Sequence, residues 1–342
     1  MTDGLLIAVD EFWSNGWRGP TLFRASGGRL TPVGAPSPPS EADAYIHGTL
    51  FAHLTDHHVH LGLIDRSALL PGGLTDVTDL GWEPQTAGGW LRTLGDAHPA
   101  LRIAGGFLTC LGGYPSGATW AVPGAAIELA EPTDAAGAVS AQAALGASVI
   151  KVTLNSVAGP VPSDALLAAI VAAARVHELP VVAHAEGPDQ AARAFAAGVD
   201  VFAHTPFSEW LDDTLIERMA RRMRWISTLD IHGWGTNTRE SETASGNLHR
   251  FAAAGGPVLY GTDLGNGPLP VGVNERELIA MAGAGLDSDT LVRSIAGPDE
   301  PAVFGPRFAW APGLPPRSAE DSARWLAAAR GCTIDDLRET LA

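Results

Sequence analysis

The stretch LTDHHVHLG, residues 54–62, sets Asp56, His58 and His60 at alternate positions. Alternate residues of a strand share a face, so this pattern groups two imidazoles and a carboxylate, all ligand types for a borderline divalent metal. The apolar residues Leu50, Phe51, Ala52 and Leu54 precede it, as in a buried strand, and Gly62 follows. Chemistry in α/β barrels sits where parallel strands end, at their C-terminal rim. A lone HxH reads equally as a histidine-rich loop, so the remaining strands must decide.

Working outward, apolar β-rich runs alternate with Ala-rich helical stretches from about residue 49, the pattern of βα units on a parallel sheet. Strands are predicted near 50–57, 74–79, 101–109, 147–153, 180–184, 199–203, 224–229 and 257–262. Predicted helices include 163–178, 188–197 (stopped by Gly198) and about 211–222. Eight strands with alternating helices predict a (β/α)8 TIM-type barrel over 49–297. Residues 1–48 read as a small N-terminal β appendage, with a connector at 32–41, and 298–342 as a Pro-rich, then helical, C-terminal tail with helices at 319–330 and 333–341.

Four further polar residues fall near predicted strand ends: Lys151 in GASVIKVTLN (146–155), His184 in VVAHAEG (181–187), His204 in VDVFAHTP (199–206) and Asp263 in VLYGTDLGN (258–266). Each alone has an ordinary structural role available, as a core histidine, a cap or a snorkelling lysine. Their joint alignment with His58 and His60 on one barrel mouth argues for a shared metal site. His57 alternates to the opposite face, and Asp56 reads as a supporting residue at the strand end rather than a ligand.

Composition narrows the partners. The chain has 342 residues, 46% hydrophobic and 18% charged, enough for a large core. A formal net charge of −16 makes nucleic acid a poor partner and leaves a small-molecule substrate. Two distant cysteines, Cys110 and Cys332, make no disulfide framework and fit a reducing cytoplasm. No apolar run reaches membrane-span length, and the N-terminus lacks a signal-peptide pattern. A homo-oligomer is left open.

With DHHVH (56–60), GASVIKV (146–152), VVAHAEG (181–187), AAGVDVFAHTP (196–206) and GGPVLYGTD (255–263) in this order, the chain resembles the amidohydrolase superfamily, in its imidazolonepropionase- and prolidase-like branch. The resemblance implies two divalent ions: His58, His60 and Asp263 on one, His184 and His204 on the other, and Lys151, carboxylated on its amine, bridging both. An unmodified ammonium has no lone pair to offer a metal, whereas a carbamate supplies anionic oxygens. Zinc suits an imidazole-rich set; manganese, iron and cobalt stay open. The implied chemistry is hydrolysis of an amide-type C–N bond (a cyclic amide, N-acyl amino acid or dipeptide-like substrate) by a metal-bridging hydroxide, with Asp263 as general base and acid. Alternatives on the same scaffold are a lactone or ester hydrolase, a condensing or cyclising enzyme, or a binding protein without turnover. A deaminase fits less well, because Glu186 stands two residues after His184 rather than three and Lys151 is present.

Two features depart from the family pattern. No strand-rich C-terminal run returns to an N-terminal β-sandwich. The third-strand loop reads CLGGYPSGATW (110–120), with Tyr114 where relatives carry a histidine. Tyr114, Trp234 and Asn266 are substrate-binding candidates. His232, read in phase with Asp230 within TLDIHGWGT (228–236), is the candidate for orienting substrate or stabilising an oxyanion.

Overall fold

The computed structural model of the chain describes residues 4–34, 42–297, 304–334 and 336. Its first strands are β1 (Leu6–Trp13), β2 (Thr21–Ser26), β3 (Arg29–Gly34) and β4 (Ala44–Phe51). β1 pairs antiparallel with β2 and parallel with β4. Ile7, Val9, Phe12, Phe23 and Leu50 point into one small core, joined by Phe304 and Phe308 from the far end of the chain.

Two parallel sheets follow. One holds β5 (Thr55–Val59), β6 (Asp76–Asp79) and β7 (Ala100–Ile103). The other holds β8 (Phe107–Cys110), β9 (Ala126–Leu129), β10 (Ile150–Asn155), β11 (Val181–Glu186), β12 (Val201–Phe202), β13 (Arg224–Ile226) and β14 (Val258–Leu259), in the order β14-β13-β12-β11-β10-β8-β9. Backbone hydrogen bonds join β5 to the chain at and beyond β14, from His57 N to Tyr260 O at 3.0 Å and from His60 N to Leu264 O at 2.8 Å. At the other side, Ser148 N bonds Ile103 O at 2.9 Å. This is a mixed α/β fold of TIM-like kind.

Helices cover the sheets: α1 (Pro84–Thr93), α2 (Ala135–Ala144), α3 (Asp164–Val176), α4 (Gln190–Ala197), α5 (Asp213–Ala220), α6 (Arg239–Ala253), α7 (Glu275–Gly283) and α8 (Ser288–Ala296). α3 shows the local logic. Ser163 accepts from Leu166 N at 3.2 Å, satisfying a first-turn donor. Leu166, Leu167, Ile170, Val171 and Ala174, one face at helical spacing, are buried. Gly198 ends α4 at φ +86°, a left-handed turn that glycine adopts without strain.

The structure corrects several sequence expectations. The strand expected over 50–57 is two strands in different sheets. The chain changes sheet at residues 52–54, where apolar residues continue on either side of His53 and no glycine or proline marks the break. The third expected strand is likewise split into β7 and β8. The largest correction concerns the tail: β15 (Arg307–Ala311) and β16 (Arg330–Thr333) flank α9 (Ala319–Ala327) and extend the N-terminal sheet to β16-β15-β4-β1-β2-β3. A returning strand is therefore present. Its core, RFAWA, lies between Pro306 and Pro312, whose missing N–H groups are tolerated because they stand at the strand's ends. Pro298, Pro301, residues 35–41 of the connector and most of the helix expected over 333–341 lie outside the described residues. Trp13 and Trp17 meet edge-on at 4.8 Å, and Trp17 also packs on Phe51 and Trp325, in the packing of the N-terminal sheet. Among the described residues, no helix is long and apolar enough to cross a membrane.

Candidate metal centre

Strand alternation delivers His58 and His60 from the end of β5 to one buried point. Asp263, just beyond β14, meets both: its Oδ1 lies 3.0 Å from His58 Nε2 and 3.1 Å from His60 Nε2. His204, beyond β12, brings its ring to 4.8 Å from that of His58, and His184 on β11 lies 4.9 Å from His204. His58, His204 and Asp263 each place one ligand atom within 4.8 Å of the others. Lys151, 2% exposed, opens into the same cavity. It sits deeper than expected, at the second residue of β10: Thr153, not Lys151, is level with His184, and Lys151 pairs with Val182 below. The long lysine stem spans that difference.

The histidines' second nitrogens fix what the first can do. His58 Nδ1 is 2.9 Å from Ala203 O, and His60 Nδ1 is 3.1 Å from Gly81 O. A carbonyl only accepts, so each Nδ1 donates, and a neutral ring then directs the lone pair of Nε2 inward. Both Nε2 atoms face Asp263 Oδ1; burial opposes charge on the His60 ring, but its bond to Asp263 and the carboxylate's charge outweigh burial and raise it, so a proton shared with Asp263 stands where a metal cation would. Burial opposes protonation of His58, pushing it down to about 4, and pushes His204 down as well. Burial alone would raise the Asp263 carboxyl, but the neighbouring His58 and the bonds from both rings hold it well below the usual range. A divalent cation reconciles this donor set, and backbone carbonyls behind the imidazoles are the usual support of metal-binding histidines.

The backbone is bent to build this point. Asp263 has φ +55° and Thr228, just after β13, has φ +41°. A β-branched residue seldom adopts that conformation, and Thr228 uses it to place Oγ1 2.9 Å from His204 Nδ1. Asp56 is structural, as its position suggested: its Oδ1 accepts from His58 N and Thr262 N, and its Oδ2 accepts from Thr262 Oγ1 at 2.6 Å. It thus ties β5 to the start of the Asp263 turn.

The surrounding cavity encloses about 190 Å³. Tyr114 stacks on His184 at 5.2 Å, and burial raises its phenol so that it remains a neutral donor. Asn266 donates to Asp263 Oδ2 at 2.8 Å. His232 lines the cavity with its ring 4.3 Å from Phe207; its buried Nε2 has no partner among the described residues, and burial lowers its pKa to about 4. Asp230 is not in phase with it. The chain there is a tight helical turn, and Asp230 faces away to bond Asn274 Nδ2 at 2.8 Å and Arg276 Nε at 3.0 Å. Trp234 lies outside the cavity, on a neighbouring groove and against Gly267.

Several residues were given no site role in the sequence reading. Glu186, weighed there only against a deaminase, has its Oε2 3.0 Å from His184 Nε2 and accepts from Asn155 Nδ2 at 2.7 Å. Its i+2 spacing after His184 on a strand places both on one face. Asp79, buried at the end of β6, accepts from Leu61 N and Gly81 N and so shapes the turn behind His60. Trp120 and Phe107 wall the cavity beside His60. Glu277 on α7, fully buried, accepts from Leu229 N at 2.9 Å and Asp230 N at 2.7 Å, holding the turn that presents His232.

No family model matches the chain, and no curated protein matches it by sequence. Solved structures do. A Xaa-Pro dipeptidase with methionine bound in its active site superposes with TM-score 0.75 at 17% identity, over 95% of this chain and 97% of that one. A prolidase complexed with N-methylphosphonate-L-proline gives TM-score 0.70 at 18% identity, over 94% and 95%. The ochratoxinase of A. niger gives 0.74 at 16%, over 95% and 93%. The chain has the prolidase-like amidohydrolase fold. The amidohydrolase resemblance read from five sequence segments thus holds for the architecture along nearly the whole chain, including the returning C-terminal strands that the sequence reading left out.

Proposed function

We propose that this protein is a metal-dependent hydrolase of the amidohydrolase superfamily that cleaves an amide-type C–N bond, on a closed (β/α)8 barrel. One observation carries the reading: His58, His60, Lys151, His184, His204 and Asp263, from five separate strands and the segments just beyond them, line one buried cavity, where Nε2 of both His58 and His60 lies within 3.1 Å of Asp263 Oδ1. His58, His60 and Asp263 would hold one divalent ion and His184 and His204 a second, with carboxylated Lys151 between them. Such ions, when bound, lower the pKa of water and polarise a carbonyl.

The chain's own groups do the rest. Asp263 stays ionised, and Asn266 fixes its rotamer through Oδ2, so the carboxylate is poised to take a proton and return it to the departing nitrogen. Burial holds Lys151 down to about 7, so much of its amine is neutral at physiological pH, the form that can add carbon dioxide to become a carbamate. His232, held neutral by burial and with no partner on Nε2 among the described residues, is available to bond the substrate carbonyl. His184 is held by Glu186 and Tyr114 and must turn from Glu186 to serve as a ligand.

The test is metal analysis with turnover. We expect near two equivalents of divalent metal per chain, and loss of amide hydrolysis on chelation with recovery on reloading. Full metal loading with no turnover across amides, lactams, lactones and dipeptides would refute a hydrolase.

A further inference from the structure

The cavity has two lobes on either side of the candidate ligands. One runs toward Phe207, Ile231 and His232; the other, of about 270 Å³, runs toward Leu63, Gly265 and Gly267. Tyr114, Trp120 and Asn266 border both. Among the described residues lining either lobe there is no arginine, and no lysine other than Lys151. Charged groups on the walls apart from the candidate ligands come down to Glu186, which is acidic. Arg276, on the loop side of His232, is engaged by Asp230 through Nε and Nη2 and borders the neighbouring groove instead.

We infer that the substrate is an uncharged amide or ester bearing an aromatic or bulky apolar group, and not a dipeptide or N-acyl amino acid with a free carboxylate on the part that leaves. Away from the candidate metal site and Lys151, a carboxylate brought into either lobe would give up its hydration without meeting a guanidinium or ammonium, and in one lobe would lie near Glu186. Aromatic walls reward a flat apolar group instead. Neutral His232 offers a hydrogen-bond donor but no positive charge to offset the desolvation of a carboxylate. This inference rests on the hydrolase reading for its chemistry, but its binding component stands apart from turnover.

The experiment compares matched pairs that differ only in the carboxylate: N-acetyl-phenylalanine pyrrolidide against N-acetyl-Phe-Pro, and N-benzoyl-phenylalanine amide against N-benzoyl-phenylalanine. In the metal-loaded enzyme, kcat/KM should favour the neutral member by about a hundredfold, the scale on which a site lacking a needed polar partner discriminates. Saturation-transfer NMR on the metal-free protein should rank the pairs the same way. Ile231→Arg, which adds a cation to one lobe, should raise binding of the free acids at least about tenfold. Equal or better handling of the free acids by the wild type, or no binding of either member, overturns the inference. Absence of turnover with neutral-selective binding would instead count against the hydrolase and leave the ligand class standing.

Discussion

Asp263 occupies a left-handed backbone position that asparagine tolerates as well as aspartate does, so Asp263→Asn keeps the turn and the bond to Asn266 while removing the base. Turnover should fall by about 10²–10⁴ with circular dichroism unchanged; near-normal rates would place the base elsewhere. Lys151→Ala should lower metal content and activity together, with partial return on adding short carboxylic acids that stand in for the carbamate, measured by elemental analysis beside kinetics. Protonation gives a further expectation. His58 and His204 are held neutral below the ordinary imidazole value of about 6.5. His60 runs the other way: burial opposes its charge, but the bond to Asp263 and the carboxylate's charge raise it. Metal content after dialysis should therefore begin to fall as pH drops through the ordinary imidazole range and be low by about pH 4. In the metal-free protein the depressed His58 contributes stability that is present above pH 6.5 and lost as pH falls through about 4. At this scale the sequence was informative wherever a residue sat in a strand. The period of two put His58 beside His60, and all six ligand candidates reach one cavity. Trp120 was missed because it lies on a loop without periodicity, and Glu277 because its carboxylate serves backbone donors far away in the chain.

Among the elements, α7 and the turn after β13 act together. Glu277 spends both oxygens on the N–H groups of Leu229 and Asp230, while burial raises its carboxyl to about 7. A raised acid stabilises the fold below its unfolded value of about 4.5 and loses that contribution as pH rises through 7. Glu277→Gln cannot titrate and loses one acceptor, costing about 1–3 kcal/mol. The stability gap between wild type and variant should be widest near pH 5 and narrow toward pH 8, as read by urea unfolding at each pH; a constant gap would mean that Glu277 does not change charge there. Thr228→Val tests the neighbouring bend: loss of the Oγ1 contact to His204 should weaken metal affinity about 10–100-fold, and Thr228→Ser should restore most of it. Helix α3 was readable in advance because its apolar face and Ser163 cap are local. The two strands of the N-terminal sheet at 307–311 and 330–333 were not, since a strand is specified by the neighbour it pairs with, and Thr49 and Gly313, which bond across that seam, stand 264 residues apart.

For the whole molecule, the N-terminal sheet and the parallel sheets share walls. α9 packs on α7 and α8, and Trp325 and Trp17 close over Phe51. Leu326, fully buried in this seam, should cost about 2–5 kcal/mol when changed to alanine, a loss visible in thermal unfolding even though the residue touches no candidate ligand. The sequence announced the α/β alternation because each βα unit repeats a local pattern. It concealed the seam because the seam is made of long-range contacts with no local signature.

Strand β4 lies between β1 and β15, with the first strand of the chain on one side and a segment beyond residue 304 on the other. While the chain emerges from the ribosome, β4 therefore waits with one edge open until the segment at 307–311 has been made. A nascent chain halted before residue 307 would carry that edge, with Leu50 and Phe51 beside it, into solution, and would need a chaperone's shelter until its last partner arrived.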